Sequence, residues 1–267
     1  MARVLVTGGS SGIGRATIDR LAQAGHLVIA TSRSKQEEIT NVEWHPLDLD
    51  TKKSVEAFCM SPLWDQRVDV VFNNAGFGLT APIESASETA IRTQFEANYF
   101  STMKITQKAM AHFREQSQGI LMINTSIGGR IAFPYFGYYN ATKHALEASY
   151  EALWYECLGS NIRIKIIEPG FTQTRFATHG MRMSGETSPH HAQALSRLAH
   201  SMRAGTTATP PDEVAKTIAD ALFDPRNRLR YNAGKYSGIL LLLRRVLPDR
   251  WFQRLVAKAV LGGKKSL

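Results

Sequence analysis

With 267 residues, 43% of them hydrophobic, the chain can bury a substantial core as one domain, and no shift in composition marks a second. Its 32 lysines and arginines against 23 acids leave a formal charge of +9, yet no basic block with interleaved aromatics is present. That pattern excludes a nucleic-acid reader and points to phosphate-bearing small molecules or anionic lipid.

Residues 3–6 form an apolar run too short for a signal segment or a membrane span, and they read as a buried strand. A Gly/Ser loop at 7–12 leads into a helix at 13–24, which ends at Gly25, and a second strand follows at 27–30. The loop reads Thr7-Gly8-x-x-x-Gly12-x-Gly14. Gly8 permits a tight turn, while Gly12 and Gly14 let the backbone approach a ligand and a neighbouring strand where a helix N-terminus could face a pyrophosphate. A glycine-rich turn without a ligand is the competing reading. At the end of the second strand, where an acid typically holds a free ribose 2′-hydroxyl, the chain has Thr31-Ser32-Arg33. Arg33 could grip a 2′-phosphate through its guanidinium fork, or be a solvated surface arginine.

A weaker strand at 42–45 runs into Asp48-Leu49, where Asp48 could accept from an adenine amino group or cap the helix at 51–58. Cys59 follows; it and Cys157 are the only cysteines, each in a predicted helix without metal or redox spacing, so no metal site is expected and a reducing, cytoplasmic setting is. The apolar run 68–72 opens into Asn73-Asn74-Ala75-Gly76, a turn whose amides can bond backbone on both sides and whose small residues leave room for a ligand. Helical spacing covers 87–116 and places Asn98 among apolar neighbours, where a buried amide needs partners. It could satisfy a helix kink or position a water.

Residues 120–124 form the next buried strand and deliver Ser126, which could hold a substrate oxygen, at its carboxyl end. The helix at 138–158 opens with Tyr139-x-x-x-Lys143. Four-residue spacing puts phenol and ammonium on one helix face, and a nearby cation favours the phenolate, drawing proton exchange towards neutral pH. Tyr135 and Tyr138 lack a lysine at that spacing, although the spacing alone also arises by chance. The alternating segment 163–168 is a sixth strand; it leaves through Pro169-Gly170, with Thr172 and Thr174 able to bond an amide or cap a turn. Strands alternating with helices specify an α/β fold, a doubly wound parallel sheet with helices on both faces.

Taken in order, Thr7-Gly8-x-x-x-Gly12-x-Gly14, Asn73-Asn74-Ala75-Gly76, Asn98, Ser126, Tyr139-x-x-x-Lys143 and Pro169-Gly170 resemble the short-chain dehydrogenases/reductases, NAD(P)-dependent enzymes on a Rossmann-type sheet. The resemblance spans roughly the first two-thirds of the chain and part of the rest. It implies that Tyr139 exchanges the proton with a carbonyl or alcohol oxygen and Ser126 holds that oxygen. Lys143 would favour the phenolate and bind the nicotinamide ribose, while Asn98 supports a water linking Lys143 to solvent. It further implies a cofactor site of Gly8, Ser10, Ser11, Gly12, Ile13, Gly14, Ser32, Arg33, Asp48, Leu49, Asn74, Ala75, Gly76, Tyr139, Lys143, Pro169, Gly170, Thr172 and Thr174. With Ser32-Arg33 in place of an acid, NADP(H) is the expected cofactor.

The resemblance also implies a substrate lid at 171–205, containing Phe176, Gly180, Met181, Met183 and Gly185, within a catalytic domain at 1–235, and a homodimer or homotetramer built through the helices of Asn98 and Tyr139. Adjacent His190 and His191 cannot easily converge on one metal and read as exposed lid residues. Phe77, Phe133, Tyr135 and Phe136 could join the lid in an apolar pocket, so the expected substrate is a hydrophobic ketone, aldehyde or alcohol, as in the similar steroid, retinoid and lipid-active branches. A helix at 212–223 and an edge strand at 229–232 precede an extension at 236–267 with two amphipathic basic helices. Their apolar faces, within 239–260, could dock on the enzyme body, on a second subunit, or on an anionic membrane. A non-catalytic NADP(H)-binding redox sensor is the alternative from another class, but it has no need of Ser126, Tyr139 and Lys143 together.

Overall fold

The computed structural model describes residues 1–174, 180–185, 188–204 and 208–262, without side-chain placement at 190 and 201–204. Seven parallel strands form one sheet in the order β3-β2-β1-β4-β6-β7-β9. They are β1 Arg3–Val6, β2 Leu27–Ser32, β3 Val42–Pro46, β4 Val70–Asn73, β6 Gly119–Asn124, β7 Ile162–Pro169 and β9 Arg230–Ala233. Because helices cover both faces, the strands are near-continuous apolar runs, and the two-residue period sorts them into two cores. Leu5, Val71, Leu121 and Ile123 turn towards α2 (Lys52–Cys59), α4 (Thr102–Glu115) and α5 (Gly137–Glu156). Val4, Val6, Phe72 and Met122 turn the other way, to α1 (Gly12–Gln23) and α7 (Pro211–Phe223), which pack on each other. Each such buried side chain contributes about 1.5–3 kcal/mol, offsetting backbone ordering at about 1–2 kcal/mol per residue.

The helical segment expected at 87–116 is one path with a defect in it. Its first part, α3 (Glu88–Phe95), is capped by the Ser87 hydroxyl, which accepts from the Ala90 amide at 3.3 Å. A π-helical turn at Glu96–Ser101 then precedes α4, and Asn98 sits in that turn. The sequence reading also lacked a small parallel pair, β5 (Gly78–Thr80) with β8 (Met181–Met183). These three-residue strands tie the lid to the turn after β4. The described part of the lid also contains α6 (Pro189–Ala204); expected lid residue Phe176 lies outside the described residues. The extension forms the two expected helices, α8 (Ser237–Val246) and α9 (Asp249–Ala257). Among the described residues no helix is long and apolar enough to cross a membrane.

Candidate active site

The strand order turns back beside β1, with β2 and β3 to one side and β4 to the other, so the carboxyl ends of β1 and β4 flank a crevice. The glycine loop enters it. Gly8 has φ +70°, and a Cβ there would lie 2.8 Å from the Ala75 Cα. A Cβ on Gly14 would stand 2.2 Å from the Gly8 carbonyl oxygen, so loop and helix close on each other only because both are glycine. Asn74 fixes this approach: its Nδ2 donates to the carbonyls of Thr7 at 3.0 Å and Gly8 at 3.2 Å, and its Oδ1 accepts from Asn124 Nδ2 at 2.9 Å. Thr7 Oγ1 in turn accepts from the amides of Asn74 and Ala75.

Ser10, Ser11, Gly12 and Ile13 form the exposed or half-buried mouth of α1, whose first turn has no acid and no side-chain cap, leaving its amides for an anion. Thr174 is brought against this mouth, 3.1 Å from where a Gly12 Cβ would lie. Arg33 is exposed at the end of β2 and makes no hydrogen bond or ion pair among the described residues, while buried Ser32 accepts from the Ser34 amide and the Gln36 side chain. The glycine loop and the open mouth of α1 fit the pyrophosphate of a dinucleotide.

Asp48 and Leu49 follow β3, and each has a partner within the chain. The Asp48 carboxylate accepts from the Asp50 amide and the Thr51 hydroxyl, closing the turn into α2, and the Leu49 carbonyl accepts from Ser101 Oγ at 2.8 Å. Pro169 ends β7, and the Gly170 amide donates to the Ala233 carbonyl. The Thr172 hydroxyl donates to the Gly170 carbonyl at 3.1 Å.

The chemistry-bearing side chains meet at the ends of β4 and β6. Ser126 follows β6; its Oγ accepts from the Gly128 amide at 3.0 Å and shares a side-chain hydrogen bond with Tyr139. Lys143, one turn along α5, is buried with Nζ 5.8 Å from the Tyr139 ring centroid and donating to the Asn124 carbonyl at 2.8 Å. Asn98 clamps Phe77, accepting from its amide at 3.0 Å and donating to its carbonyl at 2.9 Å, and also donates to Thr142 Oγ1 at 3.2 Å. The turn bearing Gly76 is thereby joined to α5; a Gly76 Cβ would sit 3.0 Å from Asn98 Oδ1.

Burial pushes the Tyr139 phenol up to about 12, with the Ser126 hydrogen bond opposing. Burial draws Lys143 down to about 8, with Glu147 opposing. The spacing led us to expect a phenol drawn towards neutral pH. In the chain by itself desolvation outweighs that effect, because the ammonium is aimed at a carbonyl of β6 rather than at the phenol. A phenol held protonated beside a hydroxyl is suited to giving a proton to an oxygen placed between them.

Two other expectations are corrected. Phe77 belongs to the core and lies beneath the Arg182 guanidinium, 3.8 Å from its ring centroid, so it does not line a substrate pocket. His191 is not a free surface group: its side chain is 16% exposed, with Nε2 2.7 Å from Glu84 and Nδ1 3.3 Å from the Tyr135 hydroxyl, so α6 is fastened to both sides of the mouth. The side chain of His190 lies outside the described residues. Phe133 and Phe171 do face each other, with ring centroids 5.7 Å apart, and Phe136 packs edge-on to Tyr139 at 6.2 Å.

Two groups were missed. Asn140 pins the loop after Ser126, accepting from the Phe133 amide and donating to the Gly128 carbonyl, both at 2.9 Å; in a helix with polar residues along its length nothing local singles it out. Behind Lys143 lies an acidic pair. Glu147 accepts from Thr125 at 2.6 Å and Arg230 at 2.9 Å, while buried Glu168 has Arg130 at 3.5 Å and Arg230 at 3.7 Å. Burial, and then the neighbouring Glu147, raise Glu168 to about 7 from 4.5. The folded chain holds a proton there that the unfolded chain has released, so stability falls as pH rises from about 4.5 through 7, by about 3 kcal/mol in all. Glu168→Gln removes that loss. Thermal melting should show the variant more stable than wild type at about pH 8 and the difference closing by about pH 5; a gap independent of pH would contradict this.

Comparison with known proteins agrees with this geometry. Residues 2–183 match the model of the short chain dehydrogenase family. An uncharacterized oxidoreductase of Schizosaccharomyces pombe is 35% identical over 190 residues, 70% of this chain and 78% of that one. A 3-ketodihydrosphingosine reductase of Bacteroides thetaiotaomicron is 34% identical over 174 residues, 65% of each chain. The crystal structure of a short-chain dehydrogenase from Streptomyces avermitilis superposes with a TM-score of 0.84 at 28% identity, covering 97% of this chain and 96% of that one. Enzymes of the same fold from Burkholderia cenocepacia (20% identity, TM-score 0.74, 97% of each chain) and Burkholderia phymatum (19%, 0.79, 100% of this chain and 98% of that one) were solved with NADP and NAD. The chain belongs to the short chain dehydrogenase family of oxidoreductases.

Proposed function

We propose that this chain interconverts a hydrophobic ketone or aldehyde and its alcohol, with NADP(H) as cofactor and Tyr139 as general acid and base. The observation that carries the reading is the Tyr139 phenol hydrogen-bonded to the Ser126 side chain, with the Lys143 ammonium beside its ring, at the strand ends that flank the glycine loop. When bound, the nicotinamide supplies or accepts the hydride. In reduction, Ser126 Oγ holds the substrate oxygen and the Tyr139 hydroxyl gives it a proton; in oxidation the phenolate takes the proton back. Lys143, fixed on the Asn124 carbonyl, keeps a positive charge by the phenolate as it forms, at pH values below about 8. Asn98 holds the Gly76 turn and α5 in register and supports a water route from Lys143 to solvent.

The preference for NADP(H) rests on Arg33, exposed at the end of β2 and unengaged among the described residues, where positions 31 and 32 are Thr and Ser rather than an acid. The hydrophobic substrate class rests on Phe136 beside Tyr139 and on the facing pair Phe133 and Phe171, and is in keeping with a relative named for reducing a keto compound. Assembly as a homodimer or homotetramer through the helices of Asn98 and Tyr139 is part of the same proposal; Phe100 and Tyr155 are exposed on those helices. A spectrophotometric screen of NADPH oxidation should find turnover of hydrophobic ketones or aldehydes. Turnover confined to small polar carbonyls would remove the substrate class.

A further inference from the structure

The C-terminal helices bury only part of the apolar surface that their sequence prepares for burial. On α9, Phe252 is packed inward, and Leu240 and Leu243 of α8 are half-buried, as is Leu247 just after it. The outer stripe is bare: Ile239, Leu242 and Val246 of α8 are 60%, 58% and 61% exposed, and Trp251 and Leu255 of α9 are 60% and 40% exposed. Five large apolar side chains within 17 residues exceed the singly scattered surface hydrophobics that need no explanation. The expectation that this face docks on the enzyme body is therefore not met for these five.

Charge identifies what covers them. Between residues 237 and 262 there are five basic side chains, Arg244, Arg245, Arg250, Arg254 and Lys258, against one acid, Asp249, which Arg244 already engages. In a twofold pair this face would meet its own copy and set like charges together. An anionic surface has the opposite requirement. Trp251, with the Arg254 guanidinium 5.6 Å from its ring centroid, combines an apolar body with a polar edge, as side chains at a lipid headgroup boundary do. At ten and nine residues, α8 and α9 are too short to span a bilayer and suit lying on one.

We propose that the outer face of α8 and α9 is a docking surface for an anionic lipid bilayer. The surface is joined to the catalytic apparatus at both ends. Ser237, which opens α8, lies 3.5 Å from where a Gly170 Cβ would be, next to the strand end that forms the site. At the far end, Arg197 of the lid helix α6 donates to the Leu261 carbonyl at 3.1 Å. A bilayer seated on the extension would thus rest against the same layer that carries the lid, and a lipid-borne substrate could reach the mouth without crossing water.

The test is flotation of the full chain with vesicles of phosphatidylcholine alone and of phosphatidylcholine with phosphatidylglycerol. Binding is expected only with phosphatidylglycerol, and should weaken as salt rises. Arg245→Glu with Arg250→Glu should weaken binding by at least about tenfold, and Leu242→Ser with Trp251→Ser should weaken it similarly while melting temperature and turnover of a soluble carbonyl stay at wild-type values. Equal binding to both vesicles, binding to neither, or unchanged binding by both variants would overturn the proposal. So would an oligomer that Leu242→Ser with Trp251→Ser dissociates while vesicle binding persists.

Discussion

Replacing Tyr139 by phenylalanine should lower kcat for carbonyl reduction by roughly a thousandfold, the range spanned by positioned acids and bases. NADPH affinity should stay near the wild-type value. The substitution removes one hydroxyl and keeps the ring against Phe136, so the packing of α5 survives and the loss falls on proton transfer. Ser126 then keeps its Gly128 contact but has no phenol to share. Kinetics with saturating cofactor, alongside fluorescence titration of NADPH, separate the two quantities. Turnover left intact in the variant would remove Tyr139 from the chemistry, and lost NADPH binding would make its role structural.

The second large effect concerns the cofactor. Arg33→Ser should reduce the ratio of kcat/KM with NADPH to that with NADH by about ten- to a hundredfold, since charge-assisted hydrogen bonds contribute about 1.5–3 kcal/mol. Because Arg33 is exposed and engages no protein group among the described residues, its removal should leave stability and turnover with NADH nearly unchanged. A ratio that does not move would show that the 2′-phosphate is read elsewhere or not at all.

How far the sequence carried differs from one part of the site to another, for physical reasons. The glycine loop, the Asn74 turn and the pair Tyr139 and Lys143 were legible because each is short, local and set by backbone geometry or helix period. Gly8 and Gly14 could be placed before their contacts were known, since few other residues permit such close approach. The direction of the Tyr139 shift was not legible. A helical spacing reports which side chains share a face, whereas burial of the phenol depends on β6, α5 and the following loop closing around it.

The acidic pair behind Lys143 escaped for a related reason. Glu147, Glu168 and Arg230 come from α5, β7 and β9, and they meet only because β9 adds to β7 at the sheet edge. The strands β5 and β8 are three residues each, below the length at which alternation is readable, yet they fasten the lid. His191 looked like a lid surface group because its partners, Glu84 and Tyr135, lie 107 and 56 residues away. In the extension the reading was open between three occupants; the enzyme body takes Phe252, whereas Leu242, Val246 and Trp251 stay exposed.

The central claim is that this chain moves a hydride to a carbonyl carbon while Tyr139 supplies the proton. The most direct measurement supplies a hydrophobic ketone with NADPH deuterated at C4 on each face in turn and analyses the alcohol by mass spectrometry. One deuterium is expected on the carbinol carbon from one of the two cofactors, and no labelled alcohol from either with the Tyr139→Phe variant on the same timescale. NADPH consumed without deuterium reaching the alcohol, or label transferred equally well by the variant, would contradict it.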